Sequence, residues 1–408
     1  MGDAAPIDPG RIDETIGWLT CAGLEGMAEL SLLDGFCRRL NAMGFALLRA
    51  SVGSAVLHPT LTGRAFIWER DRGARREDLV EEAGVARTRW QKSPFYHMLE
   101  TGEFRFRRRL DATLERDRFP ILEELRARGA RDYIATGVRF GDGAAQGELR
   151  GILCSLATDR PGGFDDDRIA LAARLADHFG LAFKAAASIS MARTLIATYL
   201  GADVQRRILS GQVRRGHGET VDAILWHSDL RGFTRLTDTA PVDEVIDLLD
   251  AYAECLIEII HGRGGEVLKF IGDGLLAMFP ADRPERACAR ALDAAFAASH
   301  AVDALADHRA GEGKPATGFY LGLHRGRVLY GNIGSATRLD FTVIGRAVNE
   351  VTRIGEMCRA LDQTVIVSQA FHEAAGPAAG RLVALGRHAL RGVARPQRLF
   401  TLDHHPSS

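Results

Sequence analysis

Apolar side chains recur at helical spacing between residues 11 and 42, at Ile16, Leu19, Leu24, Met27, Leu30, Leu33, Phe36 and Leu40. That period predicts an amphipathic helical stretch. Shorter runs after it predict strands over Gly44–Ser51, Arg64–Glu69 and Leu149–Ala157. Beyond the turn Arg160-Pro161-Gly162-Gly163, Asp165 has the position of an N-cap, and an amphipathic helix is predicted to run to about Leu200. Three glycines and two arginines between Gly211 and Glu219 predict a hinge. From Thr220 the pattern alternates. An apolar strand covers Ala223–Trp226, a helix Val242–Ile260, two strands Glu266–Ile271 and Leu275–Phe279 around a Gly272-Asp273-Gly274 turn, an alanine-rich helix Arg286–Leu305, and a strand pair Gly318–His324 and Arg327–Gly331. The expected fold is α+β in both parts, with the second a sheet covered by helices.

A chain of 408 residues exceeds one ordinary core, so two domains and their connections are expected. The boundaries fall at 1–190, a helix end and linker at 191–219, a second domain at 220–402 and a tail at 403–408. Lys plus Arg number 52 against 53 Asp plus Glu, which removes any global pull toward nucleic acid or an anionic membrane. The six cysteines form no C-x-x-C pair and read as reduced thiols. The opening residues lack the charge and apolar run of a signal peptide, and Ala170–Leu200 is interrupted by Arg174, Asp177, Lys184 and Arg193. A cytoplasmic protein without a membrane span is the expectation.

Candidate chemistry sits at strand ends and turns. Asp229 follows the apolar strand, and Asp273 tips the next hairpin. Two carboxylates brought together repel unless divalent cations bind between them. Each Asp-Gly turn alone has a plain backbone explanation. As a set, Ser228-Asp229-Leu230-Arg231-Gly232-Phe233-Thr234 and Glu266-Val267-Leu268-Lys269-Phe270-Ile271-Gly272-Asp273 resemble the two metal-site motifs of class III adenylate and guanylate cyclases. Arg338 through Arg353, with Phe341-Thr342-Val343-Ile344-Gly345 and Asn349, is similar to that family's substrate motif, and Leu390-Arg391-Gly392-Val393-Ala394-Arg395-Pro396 to its terminal strand signature.

The resemblance implies a ferredoxin-like βαββαβ catalytic core acting as a homodimer. Asp229 and Asp273, with the Leu230 carbonyl, would hold two Mg2+ ions, which Mn2+ can replace. Backbone amides at Phe233 and Thr234 would meet the terminal phosphates, helped by Arg391 and Arg338. Asn349 would orient the ribose and Arg353 would face charge developing at the α-phosphate. Lys269 can only donate, which suits N1 of adenine, while Thr342 can accept from N6. Family adenylate cyclases pair lysine with aspartate or threonine, and guanylate forms typically have glutamate and cysteine, so ATP is the expected substrate and 3′,5′-cyclic AMP the product. The lysine–threonine version is that of a bacterial subgroup often called IIIb.

The part before residue 190 resembles a GAF-type sensor by pattern alone. Trp68, Trp90, Phe95, Tyr96 and His97 are candidates to line a small-molecule pocket there, although aromatics so placed are more often core. The alternatives weighed for the whole chain are a guanylate cyclase and a catalytically silent nucleotide-binding regulator. A diguanylate cyclase, suggested by Gly264-Gly265-Glu266, fails because Val267-Leu268-Lys269 follows.

Overall fold

The structure, a computed structural model, describes residues 7–55, 61–80, 89–110, 118–141, 151–393 and 395–403. The chain divides into two units, Met1–Leu195 and Ile196–Ser408. In the first, the helical stretch expected over 11–42 is two helices, α1 (Pro9–Glu25) and α2 (Glu29–Ala42). Asp8 caps α1, and Gly26 ends it at φ 66°, a left-handed conformation that glycine adopts without strain. The break leaves Leu24 at 84% exposure rather than in the core.

There follow β1 (Leu47–Ala55), β2 (Leu61–Glu69), β3 (Gly73–Val80), α3 (Pro94–Thr101), β4 (Arg105–Arg109), α4 (Pro120–Ala127), β5 (Asp132–Arg139), β6 (Gly151–Thr158) and α5 (Asp166–Leu200). The strands form one sheet in the order β3-β2-β1-β6-β5-β4 with antiparallel neighbours. On one face α1, α2 and α5 bury Leu19, Leu33, Phe36, Phe179 and Phe183. On the other, α3 and α4 bury Met98, Leu122 and Leu125 against Tyr133 and Leu153. Among the described residues the aromatic candidates make packing contacts. Trp68 is buried and donates to Asp34, Trp90 meets Tyr96 edge-on, Phe95 packs beside Gly53, and His97 meets Phe106 and Phe119.

Asp165 accepts from the Arg168 amide at 2.9 Å and so caps α5, as expected. The first half of α5 packs Leu171, Leu175, Phe179 and Phe183 into this core. By length and composition alone its 35 residues, with a mean hydropathy of 1.2 over 18 of them, are enough to cross a membrane. This differs from the sequence expectation because the four interrupting charges are too widely spaced to break every window.

The second unit contains α6 (Ala202–Leu209), β7 (Gly218–Leu230), α7 (Phe233–Thr239), α8 (Val242–Gly262), β8 (Glu266–Ile271), β9 (Gly274–Pro280), α9 (Pro284–Gly311), β10 (Phe319–Gly334), β11 (Leu339–Ile344), α10 (Arg346–Ala360), β12 (Val365–Ser368), α11 (Gln369–Ala374), β13 (Leu382–His388) and β14 (Gln397–Leu402). The sheet runs β13-β14-β12-β10-β7-β9-β8, with β11 paired to β10. Its segment β10-β7-β9-β8 is the 4-1-3-2 order of a ferredoxin-like βαββαβ unit, as the resemblance implied. The expected strand pair at 318–331 is instead one continuous strand, since Arg325 to Arg327 stay in register with Ile224 to Asp222.

Residues Ala223–Trp226 have 0% exposure because both faces of β7 are covered. Trp226 packs with Tyr252, Leu256 and the alanines of α9, while Leu225 and Ala223 pack with Ala347, Val351 and Val204 of α6. Cys37, Cys288 and Cys358 are buried and Cys21 is exposed, all as free thiols.

Candidate active site

The register of β7, β9 and β8 sets the acidic pair. Ser228 pairs with Leu275, and Ile271 with Gly274, so the β8–β9 turn lies beside the end of β7. Gly272 has φ 65°, and a Cβ at Gly274 would stand 2.8 Å from the Ser228 carbonyl and 3.3 Å from Asp229 Oδ1. Glycine is therefore what lets the turn close onto Asp229. The Leu230 amide donates to Asp273 Oδ2 at 3.3 Å. Burial raises the Asp229 pKa to about 7, reinforced by the hydrogen bond and charge of Asp273 and opposed by the Leu230 amide and Arg359. Two carboxylates sharing a proton fit a divalent cation, which replaces the proton and relieves the repulsion. Among the described residues no group of three metal-ligating side chains occurs, so such a cation would take its remaining ligands from backbone, water or phosphate.

Past Asp229 the chain turns at Gly232, φ 62°, into the short helix α7, whose N-cap position makes no side-chain hydrogen bond. Phe233 packs against the core and anchors this turn, and Thr234 is exposed. The amide end of the turn thus stands next to the acidic pair without a side chain capping it.

The base-reading candidates Lys269 and Thr342 lie on another part of the sheet, on β8 and β11. Lys269 on β8 makes an ion pair with Asp340 on β11 at 2.5 Å, and Asp340 is two residues from Thr342, on the same face of that strand. Asp340 was not picked out from the sequence; its signal was an acidic residue at i−2 from Thr342 on an alternating strand. Gly264 and Gly265 lead into β8, where a Cβ on Gly265 would meet Phe279 at 2.8 Å. Their role is packing.

Asn349 and Arg353 lie on α10 away from its buried residues Ala347, Val351 and Ile354. Asn349 is exposed, and Arg353 donates to Glu356. The start of α10 is tied down by a buried network: Glu350 lies 3.0 Å from His324 Nε2 and accepts from Arg346, and His324 Nδ1 meets Ser368. The His324 hydrogen bond is the leading cause holding the Glu350 carboxyl below the usual range.

Within one chain Asn349 and Lys269 stand away from the acidic pair, whereas Arg353 pairs with Glu356, which lines a cavity with Asp229. Arg359, near the end of α10, lines a cavity of about 230 Å³ with Asp229 and His227. At about 1.5 Å per residue, Asn349 stands roughly 15 Å back along the helix from there. Lys269 is about four strand positions, roughly 13 Å, from Asp273. Arg391 occupies the β13–β14 turn. Because β14 runs antiparallel to β12, and β12 parallel to β10 whose Phe319 pairs with Leu230, that turn is at the sheet end opposite Asp229. Ala394 in the same motif lies outside the described residues. Arg338 is exposed at the β10–β11 hairpin, where its amide donates to Ser335.

The family model of the adenylate and guanylate cyclase catalytic domain matches residues 218–403. With its 4-1-3-2 core and paired aspartates, this segment is a class III nucleotide cyclase catalytic domain. The chain is similar to an adenylate cyclase of Anabaena cylindrica, 32% identical over 145 residues that cover 35% of this chain and 28% of that protein. It is also similar to an uncharacterised protein of Mycobacterium tuberculosis, 31% identical over 212 residues, 51% of this chain and 37% of that protein. The crystal structure of the adenylyl cyclase CyaB from P. aeruginosa superposes over 46% of this chain and 95% of its own, with 24% identity and a TM-score of 0.42. The chain spans less than two fifths of the length of these two curated relatives.

Proposed function

We propose that this protein converts ATP to 3′,5′-cyclic AMP and pyrophosphate at sites shared between two copies of the chain. The observation that carries the reading is the Asp229–Asp273 pair, in which burial first and the neighbouring Asp273 second raise the Asp229 carboxyl to about 7, a cost that a bound cation would relieve. When bound, two Mg2+ ions would make the ribose 3′-hydroxyl more acidic and neutralise the triphosphate. Asp229 and Asp273 hold that charge at the end of β7, and the Phe233 and Thr234 amides receive the terminal phosphates. Arg353 exchanges Glu356 for the α-phosphate oxygens, where its positive fork stabilises charge that grows as the 3′-oxygen attacks phosphorus and pyrophosphate leaves. Asn349 holds the ribose in line for that attack. Lys269, aimed by Asp340, donates to adenine N1, and Thr342 accepts from the N6 amino group.

The separation of Lys269 and Asn349 from the aspartates within one chain supports a homodimer, one copy supplying the aspartates and the other Lys269, Thr342, Asn349 and Arg353. Phe270, Ile271 and Leu339, exposed by 58%, 49% and 42% on β8 and β11, offer apolar area for such a contact. Arg391 and Arg338 are assigned to the terminal phosphates on the resemblance alone. The first unit, a GAF-like sensor by its pattern, is proposed to regulate turnover.

The test is purified chain with ATP or GTP and Mg2+ or Mn2+, assayed for cyclic product. Cyclic AMP in excess of cyclic GMP is expected. No product with either nucleotide and either metal makes the chain a silent regulator.

A further inference from the structure

The first unit holds a cavity of about 790 Å³ between strands β4 to β6 and the first turns of α5, on the sheet face opposite most of the aromatic candidates. That volume is in the range that encloses most of a drug-sized molecule. Its floor is apolar, built from Ile134, Leu156, Phe36 and Phe179. The helix wall explains why the space exists. Ala170, Ala172, Ala173 and Ala176 face it where larger side chains would fill it, and bulk resumes only at Phe179 and Phe183, which close the inner end against Phe36 and Phe66.

The rim carries charged side chains of both signs. In β4, alternation sends Arg105, Arg107 and Arg109 to one face. Arg107 donates to Asp132 at 2.8 Å and to the Phe164 carbonyl at 2.7 Å, and Arg109 lies 3.6 Å from the same carboxylate. Asp132, at 0% exposure, is thus consumed by two guanidiniums and by the Phe164 amide. Arg105, and Arg174 from the helix wall, make no ion pair among the described residues, and both are exposed at the cavity mouth. The two rim carboxylates, Asp166 and Asp177, stand about 16 Å apart along α5 and so flank the mouth rather than fill it.

We propose that this cavity binds a small amphipathic anion, its aromatic or aliphatic body on the apolar floor and its carboxylate, sulfonate or phosphate between Arg105 and Arg174. The site is distinct from the nucleotide site and does not depend on turnover.

The probe is 8-anilinonaphthalene-1-sulfonate titrated into the full chain, read by fluorescence and by the rise in Tm that binding to the folded state produces. Saturation at about one probe per chain with a raised Tm is expected. Ala173→Phe fills the cavity and should weaken the probe at least tenfold. The double variant Arg105→Glu, Arg174→Glu, at exposed positions that folding tolerates, should do the same with an unchanged circular dichroism spectrum. Ser188→Phe, exposed further along α5, should change neither readout. Unsaturable uptake, or unaltered affinity in the double arginine variant, overturns the proposal. So does a loss in Ala173→Phe that sedimentation traces to separation of two copies, because the groove is then an interface between chains.

Discussion

Replacing Asp273 by asparagine tests the acidic pair without disturbing its geometry, since the amide oxygen can still accept from the Leu230 N–H. In the native chain the Asp229 carboxyl titrates at about 7, far above an ordinary aspartate. Between the ordinary carboxylate range and that value, the folded chain holds a proton that the unfolded chain has lost. Stability contributed by this pair therefore falls as pH rises through that window. With asparagine in place of Asp273 no second charge remains, and the fall should shrink to the part that burial of Asp229 causes. Two unit charges about 4 Å apart repel by about 4 kcal/mol at an effective dielectric near 20. The pair is roughly half exposed, so screening leaves on the order of 1 kcal/mol. For a unit of this size that is about 2 to 4 °C in Tm. Calorimetry without metal should show the variant more stable than the native chain by that margin near pH 8, and indistinguishable near pH 5. Added Mg2+ should raise the Tm of the native chain but not of the variant, and turnover should drop by about a thousandfold, the equivalent of some 4 kcal/mol at the transition state. A variant that is equally destabilised at both pH values, still binds Mg2+ and still turns over would refute the carboxylate-pair reading.

Three further predictions concern other parts of the chain. Mixing Asp229→Ala with Arg353→Ala protein should restore up to about a quarter of native activity by forming one intact composite site per mixed dimer; heterodimers that form but stay inactive would remove the shared-site model. Lys269→Glu with Thr342→Cys should shift the kcat/KM preference from ATP toward GTP, while Asp340→Asn should raise KM for ATP more than it lowers kcat, because it frees the lysine without removing its donor. An unchanged nucleotide preference in the first variant would undercut the base-reading argument. Asp132→Ala leaves the Phe164 amide without its acceptor and the partly exposed Arg107 without its partner and should cost about 1 to 3 kcal/mol in urea unfolding of the first unit, where a loss below about 0.5 kcal/mol would show that Asp132 does not anchor the start of α5.

Most of what is chemical in the second unit is legible along the chain. Local period placed β8 from Glu266 to Ile271 and α8 from Val242 onward, and order along the chain placed Asp229, Lys269, Asp273, Thr342, Asn349 and Arg353 in recognisable motifs. These features are legible because side-chain alternation and turn chemistry act over a few residues. Which groups meet depends on pairing between distant segments. Asp340 meets Lys269 because β11 folds back to β8, a contact between positions 71 residues apart. In the first unit a cavity lies against alanines of α5 that no local pattern marks as a wall. Arg391 stands at the far end of the sheet from Asp229 because strand direction, a property of pairing across the whole sheet, sets where a turn emerges.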